Sequence, residues 1–250
     1  MFLTLPLGAT ETQRAETVIF QYGTLEALLE GVYDGDLRVG TLSEQGTLGL
    51  GTFNGLDGEM IVLDGEVWQV PVTGIPQQPS PQVRSPYASV VPFKAQRTGI
   101  IGPQPSKDAL FRALDGMAPN PNLFYAFRIQ GTFATLQARS VPKQTPPYPR
   151  LTEVVKQQAV FEHSNITGTL VGFRSPDYAK GLRAPGYHLH FLADDRTAGG
   201  HLLDLSTTGE LSVEILEVRD LRLHLPDSEA FAGAKLSGDK AAEVRAVENE

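Results

Sequence analysis

Tyr187-His188-Leu189-His190-Phe191-Leu192, followed across Ala193-Asp194-Asp195-Arg196-Thr197-Ala198-Gly199-Gly200 by His201-Leu202-Leu203-Asp204-Leu205, is the stretch that decides the fold. Aromatic and branched apolar residues suit a strand. Successive strand side chains alternate between faces, so His188 and His190 project to the same side. The polar residues and paired glycines of 194–200 read as a turn, after which the chain returns as a second strand. That hairpin carries His201 back beside the pair. Three of the chain's five histidines therefore gather at one point. Three imidazoles without a thiolate describe the open kind of zinc site, which leaves positions for water or substrate. A single strand histidine is usually satisfied by an ordinary hydrogen bond; a third imidazole arriving where the turn delivers it is what favours a metal. His163 and His224 have no such company and read as structural.

Outward from the hairpin the same strand signals recur. Segments 154–164, 167–173 and 209–218 alternate as strands and, with 187–192 and 201–206, predict a largely antiparallel sheet. Residues 124–139 alternate as well. Upstream, 17–22 reads as a strand, and Thr24 caps a short helix through Leu25, Leu28 and Leu29. Glycine- and aspartate-punctuated strands follow at 38–42, 47–54, 58–63 and 66–70. Between Pro71 and Pro105 the chain carries eight prolines, which break ladders and predict an ordered loop anchored by Tyr87, Val90, Val91 and Phe93. Ser106 caps the best helix, through Leu110, Phe111 and Leu114 to Met117. The proline-rich run 141–150 is the natural boundary. The expected class is α+β and β-rich. A lobe at 1–145 carries the main helix; a mostly antiparallel lobe at 146–250 carries the histidines and a polar, weakly helical tail; the two form one functional unit.

A chain of 250 residues can bury a sizeable core, as one large domain or two lobes. Its hydrophobic content of 41% against 20% charged is that of a folded globular protein rather than a disordered one. A net charge of -8 with no lysine or arginine cluster argues against nucleic acid as a partner and points to small substrates. No apolar run is long enough to span a membrane. The lack of cysteine excludes disulfides, thiolate ligands and cysteine nucleophiles. The first ten residues have no basic n-region and are broken by Pro6 and Gly8, a poor signal peptide, so the cytoplasm is the expected location. No Gly-x-Ser-x-Gly elbow supports a serine hydrolase. Gly46-Thr47-Leu48-Gly49-Leu50-Gly51 lacks the Lys-Ser/Thr of a phosphate loop, so its glycines read as strand and turn residues.

Two further residues bear on chemistry. Glu59 follows the turn signals of Thr52-Phe53-Asn54-Gly55-Leu56-Asp57-Gly58 and opens an apolar strand; taken alone it is an ordinary strand-end acid. Arg139 ends a strand, where its planar guanidinium offers paired donors to a carboxylate; taken alone it reads as half of a surface ion pair. Together with 139–148, Gly172-Phe173-Arg174-Ser175-Pro176 and the hairpin itself, residues 52–60 resemble acetolactate decarboxylase, in separated motifs that follow that family's order. Ser85-Pro86-Tyr87-Ala88 departs from the family's usual Thr-Pro-Phe-Ala without touching the implied ligands.

The resemblance implies a zinc enzyme that converts 2-acetolactate to acetoin and CO2 through a metal-stabilised enediolate, followed by stereospecific protonation. It also implies two sheet-based lobes with the metal site between or beside them, and a homodimer. It makes His188, His190 and His201 the zinc ligands, and Glu59 and Arg139 groups that touch metal or substrate. A glutamate near the C-terminus belongs to the same set; Glu248 is the nearest match, with Glu243 and Glu250 close by. Arg139 would orient the departing carboxylate, and Glu59 or Glu248 would handle the proton.

Three other readings stay open at this level. A cupin-like metal oxygenase or isomerase also uses His-x-His, with a carboxylate a few residues later that Asp194 imitates. A zinc hydrolase uses metal-bound hydroxide on a tri-histidine site. A non-catalytic metal-binding β-protein needs only the histidines.

Overall fold

A computed structural model describes residues 17–238 and 240–249. The N-terminal run read above for a signal peptide lies outside the described residues. The strands are β1 (Val18–Tyr22), β2 (Leu37–Arg38), β3 (Leu48–Thr52), β4 (Glu59–Leu63), β5 (Glu66–Val70), β6 (Arg84–Ser85) and β7 (Ala88–Val91). They continue as β8 (Arg97–Ile101), β9 (Phe124–Ser140), β10 (Ala159–Ser175), β11 (Gly186–Ala193), β12 (Gly199–Ser206), β13 (Leu211–Val218) and β14 (Asp220–His224). The helices are α1 (Leu25–Leu29), α2 (Val39–Ser43), α3 (Lys107–Met117), α4 (Leu151–Val154), α5 (Glu229–Gly233) and α6 (Ala241–Asn249). The β-rich α+β class is as expected.

Two six-stranded sheets organise the chain. The first runs β14-β1-β7-β3-β4-β5; the second runs β10-β11-β12-β9-β13-β8, and β9 also pairs with β10. That extra pairing closes β9, β10, β11 and β12 into a ring, all antiparallel. The long partners β9 and β10 stay in register from Ser140 opposite Ala159 to Tyr125 opposite Arg174. Sheet membership therefore does not divide at 145/146: β8 and β9 belong with the histidine-bearing sheet, and the proline-rich segment joins two strands of that same sheet. β14 crosses back to lie parallel to β1.

Three local expectations need correction. Residues 38–42 form the end of β2 and the start of α2, because Val39 and Leu42, three apart, bury one helical face. The proline-rich 71–105 segment contains β6, β7 and β8; β7 fits between Pro86 and Pro92 and lies at the centre of the first sheet, between β1 and β3. Residues 154–157 are helical, and β10 begins only at Ala159, running unbroken through the gap expected at 165–166.

β4 shows how the core is built. Ile61 and Leu63 point into the space between the sheets with Phe124, Ala126, Val171 and Phe173, while Met60 and Val62 point outward against Val39 and Leu42. Alternation with both faces buried gives a continuously apolar strand. The interior of the second sheet is filled by Phe127, Phe133, Leu170, Phe191 and Val213, with Leu110 and Leu114 of α3 packed on it.

A buried cation ties the sheets together. Arg183, 3% exposed, donates from Nε to Ser175 Oγ at 3.1 Å on β10 and from Nη1 to Gln21 Oε1 and Ser89 Oγ, both at 3.1 Å, on β1 and β7. Its guanidinium lies 4.4 Å from the centre of the Phe173 ring. Removing it would take one donor from each of three buried oxygens and leave a cavity between the sheets. Arg183→Ala is expected to cost about 2–4 kcal/mol, a fall of roughly 5–15 °C in melting temperature for a chain of this size. A melt within 2 °C of wild type would contradict this role.

Candidate metal centre

The hairpin forms in the expected register. His190 on β11 lies opposite His201 on β12, and His201 lies opposite Arg139 on β9. Opposed residues share a face, so these three side chains stand in one row, with His188 two positions along β11 on the same side. Gly200 makes the approach possible: at φ +139° a side chain would be strained, and a Cβ there would come within 2.5 Å of the Arg139 carbonyl oxygen.

His188 Nε2 lies 3.2 Å from His190 Nε2 and 3.2 Å from His201 Nδ1. The outward nitrogens identify the tautomers. His190 Nδ1–H donates to the Met60 carbonyl at 2.9 Å, and His201 Nε2–H donates to the Glu248 carbonyl at 3.2 Å. His188 Nδ1 faces Glu248 Oε2 at 3.5 Å. His190 and His201 thus turn an N–H away and a lone pair inward, the pattern in which metal-bound histidines are held by outer partners, and His188 presents Nε2 to both. Burial also keeps all three neutral. It brings His190 down to about 3, with the Met60 hydrogen bond opposing the shift and Arg139 adding to it. Burial, joined by neighbouring imidazoles and Arg139, holds His188 and His201 well below the ordinary histidine value. A tetrahedral ion with bonds of 2.0–2.1 Å needs nitrogens about 3.3–3.4 Å apart, close to the spacing here. The donor set fits a single divalent cation.

The charged groups sit around this cluster. Glu59 is set at the start of β4 by the 53–58 turn, which Thr52 Oγ1 braces through a 2.8 Å hydrogen bond to the Gly58 carbonyl. Its Oε2 lies 3.6 Å from His190 Nε2, and its Oε1 lies 3.5 Å from Arg139 Nη1. Arg139 Nη2 donates to the Val247 carbonyl at 2.6 Å. The last turn of α6 therefore has two carbonyls capped from within the site, that of Val247 by Arg139 and that of Glu248 by His201. Burial pushes the Glu59 carboxyl up to about 7 against the pull of Arg139. Burial likewise brings Glu248 to about 7, opposed by Arg139 and reinforced by Glu59. A cation held by the histidines would draw both back down.

All six residues singled out from the sequence line one cavity. Arg139 is 6% exposed and paired inside, not on the surface. Glu243 instead pairs with Arg150 at 2.7 Å, and Glu250 lies outside the described residues. Asp194 is exposed in the β11–β12 turn and does not line the cavity, which removes it as the carboxylate of a cupin-like site. His163 and His224 do not line it either. Sequence reasoning missed Thr52, Tyr87 and an apolar wall of Leu25, Leu28, Leu56, Val141, Leu151 and Val247. Leucine at helical spacing signals burial without saying against what.

The profile of the family described as alpha-acetolactate decarboxylase matches residues 19–238. The chain belongs to this family. The match takes in every candidate residue except Glu248. The alpha-acetolactate decarboxylase of Methanosarcina mazei is 42% identical over 95% of this chain and 82% of its own length. That of Klebsiella aerogenes is 40% identical over 97% and 94%. The crystal structure of the Bacillus subtilis strain 168 enzyme superposes with a TM-score of 0.90 at 37% identity, covering 93% of this chain and 99% of the other.

One divalent ion per chain is the expected stoichiometry by elemental analysis. His190→Ala removes a candidate ligand whose backbone partner is the Met60 carbonyl, so metal content should fall at least tenfold while far-ultraviolet circular dichroism stays near wild type. Full occupancy in that variant would remove His190 from the ligand set.

Proposed function

We propose that this chain is a zinc-dependent carboxy-lyase that converts 2-acetolactate to acetoin and CO2. The observation that carries the reading is the convergence, in one small cavity of a chain from this family, of three neutral imidazoles, one arginine and two carboxyls. Bound by the imidazoles, zinc would supply Lewis acidity toward the neighbouring hydroxyl and ketone oxygens of the substrate, with no thiamine or pyridoxal needed.

The chain's own groups divide the remaining work. Loss of CO2 leaves an electron pair on the carbon that carried it, and one proton must replace the departed carboxylate. Arg139 is the group for that carboxylate. Its Nε is buried without a hydrogen-bond partner among the described residues, a donor that a substrate anion would satisfy. Its other nitrogens are engaged by Glu59 and the Val247 carbonyl, so the guanidinium orients the carboxylate without being free to follow it. Glu59 and Glu248 form the proton-handling pair. Glu248 Oε2 is buried and lacks a hydrogen-bond partner among the described residues; Glu59 stands beside the ligand nitrogen of His190. Glu59 raises the Glu248 carboxyl while Arg139 lowers both, so the two buried carboxyls resist carrying full charge together and this repulsion opposes the pull of a bound cation. Delivery from a fixed wall reaches one face of the carbon and gives a single acetoin enantiomer. The same reading carries a homodimer acting in the cytoplasm.

Purified protein should release acetoin and CO2 from 2-acetolactate with no added organic cofactor, lose that activity with a chelator, and regain it with zinc. An undiminished rate in metal-free protein would contradict the metal's role. Glu248→Gln should lower turnover by about two orders of magnitude, and truncation after Arg245 should do at least as much. Wild-type turnover in Glu248→Gln would take Glu248 out of the mechanism.

A further inference from the structure

The charged and imidazole groups of the cavity come from β4, β9, β11, β12 and the end of α6, whereas much of its remaining surface is aliphatic and comes from elsewhere. Leu25 and Leu28 are contributed by α1, Leu56 by the turn before β4, Val141 by the residue after β9 and Leu151 by α4; none is more than 8% exposed. Leu25 and Leu28, three apart, share one helical face. The free space is small, about 50 Å³, enough for a few waters at roughly 10–15 Å³ each.

This wall is braced at several points. At the start of α1 the Leu25 and Glu26 amides donate to the carbonyls of Leu182 and Gly181, both at 3.0 Å, and Thr24 Oγ1 caps Ala27 N at 3.2 Å. At its end Glu30 accepts from Arg150 Nη2 at 2.7 Å, and the same nitrogen donates to Glu243 of α6 at 2.7 Å. Lys240 joins Glu30 at 2.6 Å. Arg150 is also the residue from which α4 starts. One ionic cluster therefore links α1, α4 and α6 around the cavity, and the wall leucines are themselves buried.

We propose that Leu28 and Leu151 are specificity-determining residues that gauge the alkyl groups of the substrate and confine the site to short ones. The proposal rests on the decarboxylation reading above and deepens it. A 2-hydroxy-3-oxo acid presents its carboxylate, hydroxyl and ketone to the polar groups and leaves its alkyl substituents to the aliphatic wall. A rigid wall can reject an added methylene only by clash, and a hydrophobic pocket distinguishes one methylene by roughly tenfold or more. Shortening a wall leucine should shift the preference toward longer chains without touching the polar groups.

The test is kcat/KM for zinc-loaded protein on 2-acetolactate and on homologues with ethyl, propyl or butyl in place of the 2-methyl group. Wild type should fall at least tenfold between methyl and propyl. Leu28→Ala and Leu151→Ala should each raise the propyl-to-methyl ratio at least tenfold, and the milder Leu28→Val about threefold, which keeps the test alive should the alanine variants fail to fold. Leu63→Ala, a buried core leucine that does not line the cavity, should leave the ratio unchanged at equal zinc content. Normal acetolactate turnover with unchanged ratios in the folded wall variants would overturn the proposal alone. A zinc-loaded wild-type protein that does not act on acetolactate would overturn the reaction and the proposal with it.

Discussion

One row of cross-strand neighbours holds the site together: His190 faces His201, and His201 faces Arg139, across β11, β12 and β9. Strand faces alternate with period two, so a slip of one residue at either pairing would send an imidazole or the arginine to the opposite face. The closed ring prevents that slip. β10 pairs with both β11 and β9, so neither can move against the other without breaking ladders on both sides of β10. The one irregularity between β12 and β9 falls between Leu202 and Asp204, just past the histidine, and takes up an extra residue without disturbing the row.

Placing this row in the interior imposes an electrostatic condition. An arginine and two carboxyls inside a protein are costly unless they satisfy one another. Arg139 reaches Glu59 on one side and the end of α6 on the other, and its charge opposes the upward shift of both glutamates while helping to keep the imidazoles neutral. α6 is held in turn by Val244 and Val247, which are part of the core between the sheets. The tail that composition alone would leave in solvent is thereby docked by apolar burial, and its last carbonyls are paid for by the site itself.

The histidine hairpin was legible because everything needed to place it is local: alternation, a glycine-rich turn and three imidazoles within a short span. Thr24 and Ser106 announced their helices for the same reason, each capping an amide three residues on. The failures have a common physical origin. β7 is too short, between Pro86 and Pro92, to show a period, and it becomes a strand because β1 and β3 flank it. That β8 and β9 share a sheet with β10 to β13 was not legible, because strand pairing between distant segments leaves no mark in either segment. On its own Arg139 reads as half of a surface ion pair and Glu59 as a strand-end acid; only the closed ring and the packing of β4 against it bring them together. The apolar wall was visible as leucines and invisible as a wall.

Under the proposed function, three imidazoles on two paired strands hold one zinc ion. The zinc K-edge X-ray absorption spectrum of the stoichiometrically loaded protein addresses this without relying on turnover. Three imidazole nitrogens at about 2.0–2.1 Å, with the remaining positions filled by oxygen, is the predicted shell. A shell of oxygen alone, or one holding fewer than three imidazoles, would contradict the account.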